Sequence, residues 1–341
     1  MPHASVADSD AEDDLVVEVT DLRVHFPIRR GVLGRTVGQV YAVDGVSFHI
    51  RKAETLGLVG ESGSGKSTLG RAVLRLISTT SGKILLGNTD ITHLSDEEMR
   101  FRRKDIQIVF QDPYSALNPR LTLGASVAEP LVVQGLTDRK MLEQELGLLF
   151  NRVGLPAEAR RGFPHQYSGG QRQRIGIARA LALKPSLIVC DEPVSSLDVS
   201  IQAQIINLLG ALQDELGISF LFIAHDLAVV EHISHRIAVM YLGKIVECGR
   251  TADIFKNPRH PYTRALIEAA PVTDPAARRR KRKVLAGEVP SPINPPSGCN
   301  FHTRCPLAMD RCRREKPVLR EVAPEHTAAC HLIDPAENFA P

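Results

Sequence analysis

The sequence predicts an α/β fold, a parallel sheet with helices on its faces, carrying a small C-terminal appendage. Three observations lead there. Short apolar runs alternate with stretches of helical periodicity, the order that builds parallel sheets. One such run passes straight through a Gly-rich turn into a helix. Beyond about Gly249 Pro becomes dense and the periodic pattern fades.

The elements follow in chain order. Residues 1–14 are polar and acidic and are expected to be disordered. From Leu15, L-V-V-E-V-T-D-L-R-V-H-F has strand character; Pro27–Gly38 reads as a loop, and Val43–Ile50 as a second strand. T-L-G-L-V-G then enters the Gly-rich turn, and L-G-R-A-V-L-R-L-I continues as a helix. Ile106–Phe110 is another apolar run, and Leu121–Leu155 carries helical periodicity. Leu187–Cys190 and Ile218–Ala224 read as buried strands, with the helical stretch Ile201–Leu216 between them. The tail holds a basic run, Arg278–Lys283, and a Pro-rich segment, Gly287–Pro296, with little core of its own. The basic run could meet anionic lipid but reads as a solvated loop, since it has no hydrophobic face.

Composition narrows the function. Among 341 residues the formal net charge is +3, Trp is absent and aromatics are 5%, which argues against a nucleic-acid partner. No run approaches the ~18 apolar residues of a membrane span. The N-terminal acids (Asp8, Asp10, Glu12, Asp13, Asp14) are the reverse of a signal peptide's basic start. A soluble, intracellular protein is expected, reaching a membrane only through a partner.

Three motifs carry chemistry. The run Gly60, Glu61, Ser62, Gly63, Ser64, Gly65, Lys66, Ser67, Thr68 fits G-x-x-x-x-G-K-[ST] between a strand and a helix. Its glycines let backbone N–H groups turn inward to cradle phosphate oxygens. Lys66 suits the β- and γ-phosphates and Ser67 a Mg²⁺ ion, so ATP is the expected ligand. L-I-V-C-D-E-P, Leu187–Pro193, ends a buried strand in two acids. Alone it would read as an exposed turn. Downstream of a phosphate loop, Asp191 suits Mg²⁺ through water and Glu192 the base that polarises an attacking water. Y-S-G-G-Q-R-Q-R, Tyr167–Arg174, offers a hydroxyl and backbone N–H groups at a helix start, a second anion site.

In this order the motifs resemble the nucleotide-binding subunits of ABC transporters. Ser168, Gly169, Gly170 and Gln171 are similar to that family's signature, Gln111 to its Mg²⁺-sensing glutamine, Asp198 in S-S-L-D to its D-loop, and His225 to its switch histidine. The resemblance implies an ABC-type P-loop NTPase with antiparallel and helical subdomains, the ATPase domain spanning 15–255 and the helical subdomain about 112–180. That insert would face the membrane subunits, with Gln111–Pro119 near their coupling helices. It implies a site closed by two chains, one loop holding the γ-phosphate and the other chain's signature covering it. The family stacks an aromatic on adenine; Phe26 occupies the place, with Tyr41 as the alternative.

N-P-R-H-P-Y-T-R-A-L and G-E-V-P-S-P-I-N-P-P-S-G-C-N-F-H-T-R-C, within the appendage at 256–341, resemble ATP-binding subunits of oligopeptide and dipeptide importers. Nickel importers share that architecture, and I-Q-I-V-F-Q-D-P-Y-S-A-L-N-P-R is similar to the F-type half of a heterodimer. The implied partners are a paralogous D-type ATPase, two permeases and, indirectly, a solute-binding protein, at the cytoplasmic face of the inner membrane. Cys299, Cys305, Cys312 and Cys330 follow C-x5-C-x6-C-x17-C without paired C-x2-C knuckles. The resemblance implies a [4Fe–4S] cluster on these four, with structural zinc and plain thiols as alternatives. Cys190 and Cys248 read as small buried hydrophobes. A soluble ABC ATPase acting on ribosomes or DNA would carry two cassettes or a long coiled coil, and neither pattern is present.

Overall fold

The computed structural model describes residues 14–31, 35–269 and 287–333. Of the residues 1–14 expected to be disordered, 1–13 lie outside them, as does the basic run Arg278–Lys283; Asp14 is ordered in a turn, its carbonyl accepting from Lys52 N–H at 2.9 Å. In chain order the strands are β1 (Leu15–Arg30), β2 (Arg35–Arg51), β3 (Thr55–Val59), β4 (Ser81–Leu86), β5 (Thr89–Asp90), β6 (Ile106–Val109), β7 (Leu187–Asp191), β8 (Ser219–Ile223), β9 (Arg236–Tyr241), β10 (Lys244–Arg250), β11 (Arg320–Ala323) and β12 (His326–Ala328). The helices are α1 (Lys66–Val73), α2 (Asp96–Arg102), α3 (Leu123–Val133), α4 (Arg139–Arg152), α5 (Gly169–Leu181), α6 (Val199–Leu216), α7 (Leu227–Ile233), α8 (Thr251–Lys256), α9 (Pro261–Ala269) and α10 (Asp310–Arg314). They fall into two compact units. The described residues of the first lie within Met1–Glu18, His49–Thr55 and Leu85–Ile223; those of the second within Val19–Phe48, Leu56–Ile84 and Ala224–Pro341.

In the first unit β6, β7 and β8 run parallel, with Ile106 opposite Leu187 and Leu187 opposite Ser219. Every residue of β7 and β8 is buried, which is why both appear as unbroken apolar runs. The periodic stretch Leu121–Leu155 forms two helices, α3 and α4, parted by a turn in which Gly135 takes a φ of 96°. Thr122, Asp138 and Ser168 cap α3, α4 and α5 through side-chain oxygens. Leu123, Val127, Leu149, Phe150, Ile175 and Ile177 close the core among these three helices.

In the second unit β3 pairs parallel with β9, and β10 pairs antiparallel with β9. The C-terminal segment extends this sheet: β12 pairs with β10, placing Ala328 opposite Glu247, and β11 pairs with β12. Its apolar residues bury against the sheet. Tyr262 and Phe301 join Tyr241 of β9 in an aromatic cluster with ring centroids 4.7–5.4 Å apart. The segment read as a loop, Pro27–Gly38, is instead largely extended: β1 continues to Arg30 and β2 begins at Arg35. The Ile28 side chain covers Gly38 across the pair, so the apolar residue that sequence reasoning assigned to a loop finds a cross-strand seat.

Candidate nucleotide site

In the second unit β3, buried along its length, delivers the chain to Gly60. Gly60 and Gly65 have φ of 156° and 105°, and an ideal Cβ on either would strike a backbone carbonyl, that of Met240 or of Ala42. Only glycine lets the loop lie this close to its neighbours. The β9–β10 turn fixes it further: Gly243 N–H donates to the Ser64 carbonyl at 2.9 Å. Lys66 is buried, and its Nζ donates to the carbonyls of Gly60 (2.8 Å) and Glu61 (3.0 Å). The ammonium is thus drawn across the loop's mouth. α1 starts at Lys66 with no side-chain cap and no acid in its first turn, leaving the positive end of its dipole for an anion. Ser62 and Gly63 are exposed at the tip; Ser67 and Thr68 lie half-buried on the first turn.

His225 follows directly. Ala224 N–H donates to the Leu58 carbonyl at 3.2 Å, which sets exposed His225 beside the root of the loop, and Asp226 caps α7. Phe26 is 42% exposed on β1, while Tyr41 on β2 is half-buried with its ring edge against His25, 4.7 Å between centroids.

In the first unit Asp191 is buried at the end of β7, and Glu192 follows at a φ of 48°. That turn is held on both sides. Glu192 N–H donates to the Ile223 carbonyl at 3.0 Å, and its own carbonyl accepts from Ser195 N (3.3 Å) and Oγ (3.1 Å). Gln111 Nε2 donates to Glu192 Oε2 at 3.0 Å, so two residues 81 apart in sequence meet at the strand ends. The Gln111 segment is tied to α5: Gln173 Nε2 donates to the Phe110 carbonyl at 3.4 Å, Arg179 to the Ala116 carbonyl at 2.6 Å, and the Arg172 guanidinium lies 3.9 Å from the centre of the Tyr114 ring.

Ser168 and Gln171 form a reciprocal cap at the start of α5: Gln171 Oε1 accepts from Ser168 N–H at 3.0 Å and Ser168 Oγ from Gln171 N–H at 3.4 Å. Both are exposed, as is Asp198 at the start of α6. A Cβ on Gly169 would lie 3.3 Å from Leu197, and one on Gly170 would strike Ile201, so bulk is excluded where α5 nears α6.

The four tail cysteines gather in the second unit. Cys299 N–H donates to the Cys312 carbonyl at 2.8 Å. Burial pushes the Cys299 thiol up to about 11 and the Cys330 thiol up to about 12, and charge on the neighbouring cysteines adds to both. Cys305 is raised by the same burial and by Cys312. Unmetallated, these three are neutral thiols at pH 7. The donors are soft sulfurs, and Cys330 lies within electrostatic reach of the other three. A single tetrahedral zinc would need the sulfurs within about 4 Å of one another. Among the described residues no group of three or more His, Cys, Asp or Glu side chains is arranged to hold one metal ion. Cys190 and Cys248 are buried in β7 and β10.

Two residues outside the three nucleotide motifs also reach the loop, each from a tail segment that carries the importer resemblance. Tyr262 and Arg304, both from the C-terminal segment, bond Glu61. The tail motifs contain both residues, but nothing in those patterns ties either one to the phosphate loop.

A phosphate cradle after a strand, paired acids at a second strand end and a capped Ser-Gly-Gly-Gln helix start define an ABC-type ATPase. Residues 43–195 match the family model described as ABC transporter, and 246–312 the model described as oligopeptide/dipeptide transporter, C-terminal region. The chain is 52% identical to the oligopeptide transport ATP-binding protein AppF of Bacillus subtilis, over 94% of its own length and 98% of the relative's. It is 50% identical to OppF of Salmonella typhimurium, over 94% and 97%. Among solved structures it is similar to CbiO1 of Clostridium perfringens, part of the ABC transporter complex CbiONQ, with a TM-score of 0.62 and 27% identity over 72% of this chain and 92% of that one. It is also similar to the cassette MJ0796, solved as a dimer bound to ADP and Pi, with a TM-score of 0.61 and 29% identity over 69% and 98%. The chain belongs to the ABC transporter family of ATPases, in its branch of oligopeptide transport ATP-binding proteins.

Proposed function

We propose that this chain is the ATP-hydrolysing motor of an importer for di- or oligopeptides, working at the cytoplasmic face of the inner membrane. The observation that carries the reading is the Gln111–Glu192 hydrogen bond at the end of a fully buried strand. It holds a carboxylate in place to take a proton from water. The loop Gly60–Thr68 binds the phosphates through its backbone N–H groups, and Lys66 swings from the carbonyls of Gly60 and Glu61 to the β- and γ-phosphates. Ser67 and Gln111 would hold Mg²⁺, with Asp191 acting through water; when bound, the ion would neutralise charge on the phosphates. Glu192 accepts the attacking water's proton, and His225 contacts the γ-phosphate. Phe26, the more open ring, stacks on adenine, with Tyr41 as the alternative.

The functional division we assign is a nucleotide domain at 15–255, a permease-facing helical subdomain at about 112–180, and a C-terminal domain at 256–341. The working assembly is a heterodimer with a paralogous ATPase, two permeases and a solute-binding protein. In each composite site Ser168–Gln171 and Asp198 of one chain close over nucleotide held by the other. Cys299, Cys305, Cys312 and Cys330 are the ligands we assign to a [4Fe–4S] cluster, which would staple a tail that has little core of its own. Their soft chemistry and mutual electrostatic reach support it. Anaerobically purified protein should be brown and hold four irons per chain; protein without iron would sink the cluster.

The motor is tested with Glu192→Gln in the reconstituted transporter. ATP binding should persist, while hydrolysis and labelled-peptide uptake fall together by about 10²–10⁴-fold, the worth of a general base. Equal hydrolysis by wild type and variant would end the motor reading, and uptake of nickel but not peptide would redirect the cargo.

A further inference from the structure

Glu61 is fixed through every polar group it has. Its backbone N–H donates to the Tyr262 hydroxyl at 2.8 Å. Its carbonyl accepts from Lys66 Nζ at 3.0 Å and from Ser64 N–H at 3.2 Å. Its carboxylate receives both arms of Arg304, NH1 to Oε2 at 2.6 Å and NH2 to Oε1 at 3.0 Å. Two of these three anchor points come from the C-terminal segment and one from the catalytic lysine. We propose that Arg304 and Tyr262 are positioning residues for the phosphate loop: by holding Glu61 they set the carbonyl on which Lys66 rests and so the geometry offered to nucleotide.

This tie differs from an ordinary surface ion pair. The Arg304 side chain is only 4% exposed, against 27% for Glu61. A desolvated fork-to-fork pair is directional and is costly to break from one side. The Glu61 carboxylate holds the Arg304 guanidinium above its usual pKa, so it stays charged throughout the working pH range. Tyr262 is fully buried, and its ring packs on Tyr241 and Phe301, 4.7 and 5.4 Å away. The hydroxyl therefore has one place to be, directly over the loop. Arg304 itself adjoins Cys305, and Phe301 lies between Cys299 and Cys305, so the Arg304 anchor belongs to the cysteine-bearing turn and the Tyr262 anchor, on α9, packs against it. A segment that pairs its strands on β10 thus reaches back to the second residue of the loop.

The inference rests on the loop being the ATP site, and its test separates the two. Equilibrium binding of a fluorescent ATP analogue with Mg²⁺ is measured on the full chain, below the melting temperature of each variant. Tyr262→Phe keeps the ring and removes only the acceptor. Arg304→Lys keeps the charge and loses the fork. Each should weaken nucleotide binding about three- to tenfold, and in the assembled transporter the effect should fall on KM more than on kcat. Arg304→Gln with Glu61→Gln should be no worse than Arg304→Gln alone, because both remove the same bond. Lower melting temperatures with unchanged nucleotide affinity in both folded variants would overturn the proposal. Failure of the wild type to bind the nucleotide would instead overturn the site reading beneath it.

Discussion

Glu192 stands at a φ of 48°, a conformation that costs a non-glycine residue about 1–3 kcal/mol. Its N–H and carbonyl are both engaged, and Gln111 holds its carboxylate, so the surroundings over-determine the strain. The sequence places Glu192 by its position after an apolar strand but carries no sign of its backbone. Gly60 and Gly65 are the opposite case. There residue identity and constraint coincide, and the loop was legible in full. Gly65→Ala must force a Cβ against the Ala42 carbonyl at a φ of 105°. It should cost about 2–4 kcal/mol and abolish nucleotide binding, as thermal melting and a binding titration would show. A variant that melts and binds like wild type would mean the loop relaxes freely.

Elements were read well where one period ran unbroken and poorly where pairing partners decided. The buried strands β7 and β8 and the helices α3 to α6 follow from local pattern. The β1–β2 pair did not, because Pro27 and the surrounding Gly and Arg residues are punctuation by composition and strand by cross-strand contact. The tail's docking was equally hidden: what buries it is β10, more than 70 residues upstream of β12. That docking has a pH signature. Glu247, fully buried, accepts from Arg259 N–H (2.7 Å), His260 N–H (2.8 Å) and the His326 ring (2.7 Å). Burial alone would raise its carboxyl, but the hydrogen bonds, His326 foremost, bring it below the usual range. The Glu247 contribution is therefore present at neutral pH and fades only below pH ~4.5. His260 acts in a higher window. Burial lowers it to about 4, against the pull of the Glu247 charge, and its Nδ1 accepts from Tyr262 N–H at the start of α9. Below about pH 6.5 the unfolded chain takes up a proton that the folded chain refuses. Stability should fall between pH 6.5 and 4, by up to about 3 kcal/mol, and His260→Asn should flatten that slope. Denaturant melts across the window would decide it; parallel curves would mean His260 is solvated.

The reciprocal cap at α5 sets a second expectation at this scale. Ser168→Ala should cost about 1 kcal/mol through the lost Oγ acceptor, read as a drop in unfolding midpoint. The stability loss alone would leave nucleotide affinity of the isolated chain unchanged, since α5 belongs to the unit that does not carry the phosphate loop.

For the whole molecule, the decisive groups are those the single chain leaves open. Ser168, Gln171 and Asp198 are exposed, and beside Asp198 stands Val199, 81% exposed, an apolar side chain on an otherwise polar rim. In a lone chain Ser168 and Gln171 satisfy each other, so they are preformed and rigid without ligand. A preformed donor surface at a helix start asks for an anion, and Ser168 sits in the first unit while the phosphate loop sits in the second. In the proposed cycle a second chain supplies that anion as the γ-phosphate of its own bound ATP. Association should then depend on nucleotide. With Glu192→Gln, which on the proposed mechanism keeps ATP intact, size-exclusion chromatography should show a dimer in ATP and Mg²⁺ and a monomer in ADP, for the chain alone or mixed with the proposed paralogous ATPase. Ser168→Glu should abolish the shift while leaving nucleotide binding in place, because it puts bulk and negative charge where the phosphate must approach. The absence of ATP-dependent association with either partner would leave the signature motif as a helix cap and nothing more.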